Sequence, residues 1–374
     1  MFLMWTELMR FDLLAQAHPG SYFWRIMAYH GVHVPWAGGS LHDLIQPSFA
    51  FIVGAALPFS LMARQHKGQS RLRMTAHAFW RAFLLVSIGI FLRSNGAPMT
   101  NWIFDDTLTV IGLAYGFLFV IAFGPTWSRW TVFALILIGY WAAFALYPLP
   151  GPDFDWARAG TSPDWPHNLT GFAAHWNGNT NLGWAFDTWF LNLFPRPRPF
   201  YAHVAGYSTL NFVPTIATMI LGLFAGDVLK SGRTARQKVR WLLAYGVAGI
   251  ALGWVLGALG ICPVVKRIWT PSWVLYSGGW CFLFLAAFYF VIDVAKFRTW
   301  SFPLTVLGTN AIAAYCMWQL LDSFTKSSLK THLGQEFFTF LGTANEPLAL
   351  GAAVLACYWI VLYWMYRRRI FLRV

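Results

Sequence analysis

Residues 30–54, HGVHVPWAGGSLHDLIQPSFAFIVG, contain the clearest signal for a membrane-spanning helix in this chain. The first half of this stretch is polar and contains a Gly-Gly turn, and its second half opens an apolar run. Ser40 and Asp43 have the serine-to-acid spacing of a capping box, which predicts a helix that begins at Leu41. Residues 44–62 carry no charge and are about one bilayer thickness long, so this helix is predicted to cross a membrane.

The composition of the whole chain agrees with that prediction. Of its 374 residues, 57% are hydrophobic and 11% are charged, whereas soluble globular domains average about 25% charged. The excess of 27 Lys and Arg over 14 Asp and Glu is interpreted first as a topology signal and not as a nucleic-acid site. The four cysteines are scattered and three lie in apolar runs, so neither a disulfide framework nor a metal site is expected.

The apolar segments predict an all-α fold, a polytopic transmembrane helical bundle of about ten spans in a single domain, residues 1–374. Nine residues precede Arg10, fewer than the roughly 20 that cross a hydrocarbon core, so the first span is expected to be truncated. Residues 149–208 form the one long hydrophilic stretch and are predicted to be an ordered external loop. Its tryptophans and asparagines suit either a sugar site or a folded cap whose tryptophans pack on each other.

Basic residues predict the orientation of the bundle. Five short segments on one side hold 16 Lys or Arg in 42 residues, and the opposite loops hold 8 in 134. The positive-inside rule therefore makes the first group cytoplasmic and places residues 149–208 outside, together with His33 and Lys266.

Nine positions in the opening stretch resemble the signature of the heparan-alpha-glucosaminide N-acetyltransferase family: His33, Trp36, Gly38, Asp43, Leu44, Pro47, Phe49, Phe51 and Gly54. In that family the histidine of an H-x-x-W-x-G pattern is taken as the catalytic centre for acetyl transfer from acetyl-CoA to an amino sugar across a membrane. Only His33 fits this position, because His30 and His42 lack the tryptophan and glycine at the required spacing.

The resemblance covers about residues 1–366 and includes two further motifs. Residues 211–218 resemble the second, and CPVVKRIWTPS at 262–272 resembles the third, with Val265 where many relatives have asparagine. The resemblance implies acetyl-CoA as co-substrate, an amino sugar or glycan as acceptor, and a multi-pass protein of a bacterial inner membrane in contact with lipids, and it leaves a homodimer open. Substrate contacts are implied for Glu7, Trp36, Lys266 and Trp269.

His33 is predicted to act in one of two ways, since an imidazole can serve as general base or as acyl acceptor. Asp43 is the second catalytic candidate, because a carboxylate beside an imidazole fixes its tautomer, although a helix cap alone would also explain it. Glu7 is a carboxylate in a predicted membrane helix, where acids are costly, and an interfacial position is the competing explanation.

The path of acetyl-CoA is predicted to run through the membrane-spanning part of the bundle. Pro214, Thr215 and Thr218 in the sixth span, and Asn310 in the middle of the ninth, carry hydroxyl, amide and proline-freed carbonyl groups that need partners in lipid. Arg81 is expected to hold phosphates or to pair with an intramembrane carboxylate.

Two other functions compete with acetyl transfer. A transporter or flippase would use the same polar residues to conduct a sugar without chemistry, and it predicts inverted repeats and broken helices in matched halves, which the sequence does not display. A scaffold would leave His33, Trp36 and Lys266 without a reason to share one side.

Overall fold

The structure is a computed structural model that describes residues 2–372, with side chains from residue 6 onward. Its fourteen α-helices are α1 (Phe2–Met9), α2 (Phe11–Ala17), α3 (Tyr22–Gly31), α4 (Ile45–His66), α5 (Arg71–Arg93), α6 (Thr107–Ile121), α7 (Thr126–Leu146), α8 (Leu182–Phe190), α9 (Phe212–Lys230), α10 (Ala235–Ala258), α11 (Pro271–Phe288), α12 (Phe302–Thr309), α13 (Ala311–Leu333) and α14 (Glu346–Arg367). The described part of the chain contains no β-strand, which confirms the all-α prediction.

The membrane-spanning character of the bundle is also confirmed. Within residues 2–372, seven helical segments are long and apolar enough to cross a membrane, and the bent pair α12 and α13 makes an eighth. The α6 helix is apolar but has only 15 residues, and α1, α2 and α3 are shorter still. Seven or eight spans agree roughly with the ten expected from the sequence.

The described residues divide into two compact units. The first comprises Met1–Val34, Gly39–Ile45 and Val291–Val374, and the second comprises Pro35–Gly38 and Gln46–Phe290.

In the first unit, α14 is the helix around which the others pack. It contacts α1, α2, α12 and α13, and it buries Val354, Tyr358 and Leu362 in a core shared with Leu8. A methyl group at Gly351 would overlap the backbone of Leu8, so the close approach of α1 and α14 requires a glycine at this position.

The break between α12 and α13 corrects one expectation. The two helices are bent by 70°, and Asn310 lies at the bend and not in mid-helix. Its amide nitrogen donates to the carbonyl of Ile370 (2.9 Å), and its Oδ1 accepts from the backbone N–H of Leu372 (3.0 Å). The Asn310 amide is therefore satisfied by the backbone that follows α14.

In the second unit, α9 is the central helix and contacts α6, α7 and α11. Almost every side chain from Pro214 to Val228 is buried, as expected for a helix that is apolar on all sides. Methyl groups at Gly222 and Gly226 would overlap the carbonyl oxygens of Phe51 and Ala55 on α4. This G-x-x-x-G pair therefore lets α9 and α4 approach closely.

Residues 149–208, called the cap below, form a folded segment of the second unit. It contains a 3-10 turn at Gly171–Trp176 and the helix α8. Trp176 is fully buried, and its carbonyl accepts a 3.0 Å hydrogen bond from the indole N–H of Trp36.

The cap buries one carboxylate. Asp187 on α8 is 3% exposed; its Oδ2 accepts from the N–H of Thr209 (2.9 Å), and its Oδ1 has no hydrogen-bond partner among the described residues. Burial, partly offset by the hydrogen bonds from Thr209, raises the pKa of Asp187 to about 7. The folded cap thus favours the protonated acid.

We expect Gly222→Ala to destabilise the protein, because the added methyl group meets the backbone of α4 and the helices must separate. Overpacking of this kind costs about 1–3 kcal/mol. The measurement is thermal unfolding in detergent. Gly139→Ala on α7 is the control, since a methyl group there meets nothing within 4 Å; equal melting temperatures for both variants would contradict the packing described.

Asp187 gives a pH dependence of defined sign. Its folded pKa of about 7 lies above the ordinary value of 3.8, so between these values the folded state retains a proton that the unfolded state has released. The contribution of this group to stability is fully present below about pH 4 and is lost as the pH rises through about 7. Asp187→Asn should therefore flatten the fall in melting temperature between pH 5.5 and 8. Asp164→Asn, at an exposed cap carboxylate, should leave that slope unchanged; an unchanged slope in Asp187→Asn would refute the assignment.

Candidate active site

The centre of the first unit's polar cluster is Asp43, which is 1% exposed. Its Oδ2 accepts from the N–H of Val34 (3.2 Å), from the N–H of Ser40 (3.0 Å) and from the hydroxyl of Ser40 (3.0 Å). The Ser40 hydroxyl in turn accepts from the N–H of Asp43 (3.3 Å). The predicted capping box is present, although it opens a 3-10 turn at His42–Leu44, and the α-helix begins at Ile45 and not at Leu41.

The other oxygen of Asp43 holds His33. The distance between Asp43 Oδ1 and His33 Nδ1 is 2.7 Å, and the His33 side chain is 36% exposed. When Nδ1–H donates to the carboxylate, the neutral imidazole carries its lone pair on Nε2. Asp43 therefore makes the contacts that both explanations require: Oδ2 makes the capping bonds, and Oδ1 contacts the imidazole.

A second imidazole and a second carboxylate lie beside this pair. The ring centroids of His33 and His42 are 4.4 Å apart in an edge-to-face arrangement. His42 Nε2 is 3.2 Å from Glu7 Oε1, and His42 Nδ1 is 3.0 Å from the hydroxyl of Thr6. His42 is buried, whereas the Glu7 side chain is 39% exposed, so Glu7 is the member of this second pair that a ligand can reach.

The sequence interpretation missed His42, because it was judged only by the H-x-x-W-x-G spacing. The one signal available was its position next to Asp43, within the capping turn. The structure brings His33, Asp43 and Glu7 together as predicted site residues and adds His42 between them.

In the second unit, the first and third motifs meet along the backbone. Ala37 and Val265 form an isolated antiparallel bridge, and the N–H of Gly38 donates to the carbonyl of Val264 (2.8 Å). Gly38 has φ +110, a conformation that favours glycine. Trp36 is 2% exposed, so its indole supports the cap and offers a ligand only a small surface.

Lys266 and Trp269 lie in a tight turn before α11. Trp269 has φ +48, which is rare for an aromatic residue and costs roughly 1–2 kcal/mol. The hydroxyl of Thr270 then accepts from the N–H of Trp273 (3.3 Å) and caps α11, with Pro271 in its first turn. The Lys266 ammonium donates to the hydroxyl of Tyr207 in the cap (3.2 Å).

The predicted substrate contact of Trp269 needs correction. The side chain is 0% exposed, and its indole N–H donates to the hydroxyl of Thr218 (3.1 Å). A fully buried indole has no surface for a ligand in this conformation. Trp269 therefore joins the third motif to the second motif on α9.

The residues predicted to line a channel on α9 are also enclosed. Thr215 and Thr218 are 0% exposed, and the Thr215 hydroxyl donates to the carbonyl of Asn211 (2.8 Å). Pro214 lies in the first turn of α9, where a backbone N–H would have no helical partner in any case, so it frees no carbonyl in mid-helix. The polar groups of these residues are satisfied within the protein and do not face an open channel here.

Arg81 is half-buried on α5 and contacts a phenol. Its guanidinium donates to the hydroxyl of Tyr115 (3.3 Å) and lies 5.2 Å from the centre of that ring. Among the described residues, no group of three or more His, Cys, Asp or Glu side chains is arranged to hold a metal ion.

Two known proteins are similar in sequence to most of this chain. The chain is 25% identical over 383 aligned positions to human heparan-alpha-glucosaminide N-acetyltransferase, covering 91% of this chain and 55% of the human protein. The mouse protein of the same name is 24% identical over 381 positions, covering 91% of this chain and 56% of that protein.

The chain thus spans about half the length of the curated relatives it matches. It matches no protein-family model. Both relatives carry the same name, and each aligns with nine-tenths of this chain. The chain is thus similar, over nine-tenths of its length, to two proteins named heparan-alpha-glucosaminide N-acetyltransferase.

Proposed function

We propose that this protein is a membrane-embedded acetyltransferase that moves an acetyl group from acetyl-CoA to an amino sugar or glycan. The observation that carries the proposal is the His33–Asp43 pair, in which a buried carboxylate 2.7 Å from Nδ1 places the lone pair of a partly exposed imidazole on Nε2. The names of the relatives, which are N-acetyltransferases, support the same reaction class.

The pair supports two routes for the acetyl group. In the first, Nε2 of His33 attacks the thioester carbonyl, the C–S bond breaks, and the CoA thiolate leaves; the acceptor amine then attacks the acetyl-imidazole and loses a proton. In the second, the amine attacks the thioester carbonyl directly while Nε2 accepts its proton, and the C–S bond breaks to release the CoA thiolate. In both routes Asp43 stabilises the imidazole as it gains positive charge.

Glu7 is proposed to bind the acceptor amine. An amino sugar reaches the site as an ammonium ion, and a carboxylate is the natural partner of such a group. His42 holds Glu7 at 3.2 Å and is itself held by Thr6, so His42 is a positioning residue. The Glu7 carboxylate thus gives a reason for an amine, and not a hydroxyl, as the acceptor.

The buried residues of the second and third motifs are proposed to act indirectly. Trp269 and Thr218 join the turn before α11 to α9, Thr215 bonds to the start of its own helix, and Lys266 contacts Tyr207 of the cap. Asn310 plays a comparable part at the bend of α13 through the backbone that follows α14. Of the residues predicted to bind acetyl-CoA, Arg81 alone is proposed to contact it directly, as a half-buried cation for its phosphates.

Sidedness is proposed from charge. The segments rich in Lys and Arg, including residues 230–240, are placed in the cytoplasm, where acetyl-CoA is made, and the cap is placed outside with the acceptor. In a bacterium this corresponds to the inner membrane. The acetyl group would then be carried from a cytoplasmic donor to an extracytoplasmic acceptor.

A transporter is the competing function, and the bend between α12 and α13 is the observation in its favour, since broken helices line substrate paths in transporters. However, the polar side chain at the bend, Asn310, is engaged by the chain's own backbone at 2.9 and 3.0 Å. Transport without chemistry also does not explain why the His33 imidazole contacts a buried carboxylate, that of Asp43.

We expect His33→Ala to abolish acetyl transfer, because it removes the only proposed acceptor of the acetyl group or proton. Exchange of labelled acetyl between acetyl-CoA and CoA by the purified protein is the measurement, and it reports the acetyl-imidazole route directly. Transfer to glucosamine measured in parallel reports both routes. General base or nucleophilic groups typically contribute 10²- to 10⁴-fold.

His30→Ala is the matched control, a half-buried histidine three residues earlier that contacts only the backbone N–H of Leu41 in the described hydrogen bonds. Asp43→Asn separates the two roles of the carboxylate, since asparagine can still cap a helix but cannot stabilise an imidazolium. It should fold normally and lose activity by roughly 10²-fold. Full activity in His33→Ala would rule out the proposed centre.

The orientation is tested with single cysteines at two exposed positions, Thr170 in the cap and Ala235 at the start of α10. A membrane-impermeant maleimide added to intact cells should label Thr170→Cys and not Ala235→Cys. Unsubstituted protein measures the background from the four native cysteines. Labelling of Ala235→Cys alone would reverse the proposed sides.

A further inference from the structure

A pocket of about 400 Å³ lies in the cap, and none of its lining residues has a role in the acetyl transfer proposed above. One wall is formed by Trp184 and Thr188 on α8 and by Asn192 in the 3-10 turn that follows it. The other walls come from residues 153–159 and 200–201. The volume falls within the range of small-ligand sites in proteins, about 300–1,000 Å³.

Direct hydrogen bonds join the walls of this pocket. The side-chain amide of Asn192 donates to the carbonyl of Phe200 (2.9 Å) and accepts from the N–H of the same residue (2.7 Å). The indole N–H of Trp184 donates to the carbonyl of Tyr201 (2.7 Å), and its ring meets that of Phe154 edge to face with centroids 5.4 Å apart. The walls are therefore organised before a ligand arrives, which lowers the cost of binding.

The pocket contains charges of both signs that do not pair with each other. Its lining includes the carboxylates of Asp153 and Asp155 and the guanidinium of Arg158. The guanidinium lies 4.0 Å from the centre of the Tyr201 ring, and in the described part of the chain it forms no salt bridge with either carboxylate. A guanidinium suits a phosphate, and carboxylates suit an ammonium group. The pocket therefore matches a ligand that carries both a phosphate and an ammonium group.

The helix beside the pocket has an exposed apolar face. Gly183, Asp187 and Leu191 are buried, and residues spaced by four lie on one face of a helix. The opposite face carries Trp189 and Leu193, which are 61% and 62% exposed. A helix with one face on protein and an apolar face outward is typical of the membrane interface, where tryptophan is enriched.

This exposed face lies next to the pocket and near the end of a membrane span. The pocket residues of α8 precede Trp189 and Leu193 by one position, which is about 100° around a helix. The α7 span ends at Leu146, and α8 contacts α7. Leu182, at the start of α8, packs against the cluster that contains Phe144, two residues before the end of that span. The pocket is thus placed where α7 leaves the membrane.

We propose that this pocket binds the headgroup of a zwitterionic aminophospholipid. The phosphate lies on Arg158, the ammonium group lies between Asp153 and Asp155, and the acyl chains follow Trp189 and Leu193 into the bilayer. An anionic lipid without an ammonium group would leave both carboxylates without a partner, and an uncharged lipid would leave all three charges so. The site anchors the cap to the membrane surface and does not depend on the proposed acetyl transfer.

Native mass spectrometry of the detergent-purified protein tests the headgroup. Phosphatidylethanolamine and phosphatidylglycerol with identical acyl chains are the two lipid probes, and the first should bind more tightly. Arg158→Gln should weaken phosphatidylethanolamine binding roughly tenfold, as expected for loss of a hydrogen bond to a charged group. Arg198→Gln, at an exposed arginine of the cap outside the pocket lining, should leave it unchanged. Equal binding of the two lipids to the unsubstituted protein overturns the proposal.

A second variant tests the carboxylates by changing specificity. Asp153→Asn combined with Asp155→Asn leaves a lone cation in the pocket and should shift the preference toward phosphatidylglycerol. Both side chains are exposed, and an asparagine at position 155 can still accept from the N–H of Arg158, as the aspartate does (2.9 Å), so the melting temperature should not change. Asp164→Asn is the control. An unchanged lipid preference in the double variant contradicts the assignment of the ammonium group.

A soluble headgroup separates a lipid ligand from a free zwitterion. Trp189→Ser combined with Leu193→Ser should weaken binding of phosphatidylethanolamine and leave binding of glycerophosphoethanolamine, which has no acyl chains, unchanged. Glycerophosphoethanolamine that binds the unsubstituted protein as tightly as the full lipid overturns the assignment to a membrane lipid.

Discussion

The Asp43 carboxylate is the interaction on which the polar centre of the first unit depends. One oxygen closes the Ser40 capping box and holds the N–H of Val34, and the other holds Nδ1 of His33. Because all of these bonds converge on a side chain that is 1% exposed, the orientation of the imidazole is tied to the turn that starts the helix. A carboxylate in water would satisfy its oxygens in many ways, whereas a buried one has only the partners that the fold supplies. The carboxylate that closes the capping box therefore also holds the histidine that precedes it.

Helix packing in the second unit is governed by a different constraint. Its central helix, α9, is surrounded by protein and lipid and not by water. Two helices in lipid gain little from burying apolar surface against each other, and close backbone contact takes over that role. Gly222 and Gly226 supply it on α9, and Gly54 supplies it on α4. The hydroxyls of Thr215 and Thr218 are used locally, toward Asn211 and Trp269. The sequence predicts a channel at these residues because their polar groups need partners in lipid, and the structure supplies those partners within the protein.

The tryptophans of the cap differ in burial. Trp176 is buried and bonded to Trp36, in agreement with a folded cap, while Trp165 lines a pocket that also contains Arg267. The folded cap thus accounts for Trp176, whereas a sugar site, the other use that the sequence left open, stays a prediction. Only a partly exposed ring, such as that of Trp165, has a face to offer a ligand.

The helical class, most of the spans, the capping box at Ser40 and the motif around His33 can be predicted from the sequence alone. These features are local or periodic, so residue types and spacings specify them. The hydrogen-bond partners of individual side chains, in contrast, depend on the tertiary fold. His42 had no motif of its own and became part of the site because α1 brings Glu7 and Thr6 to it. Asn310 was expected in mid-helix and lies at a bend that the distant backbone at Ile370 and Leu372 stabilises. Trp269 lies in the third motif, but nothing in the sequence indicated that its side chain is fully buried. Such contacts join residues 35 to more than 60 positions apart in the chain. Hydrophobic periodicity cannot specify which distant backbone or side-chain group will form a hydrogen bond with a given residue.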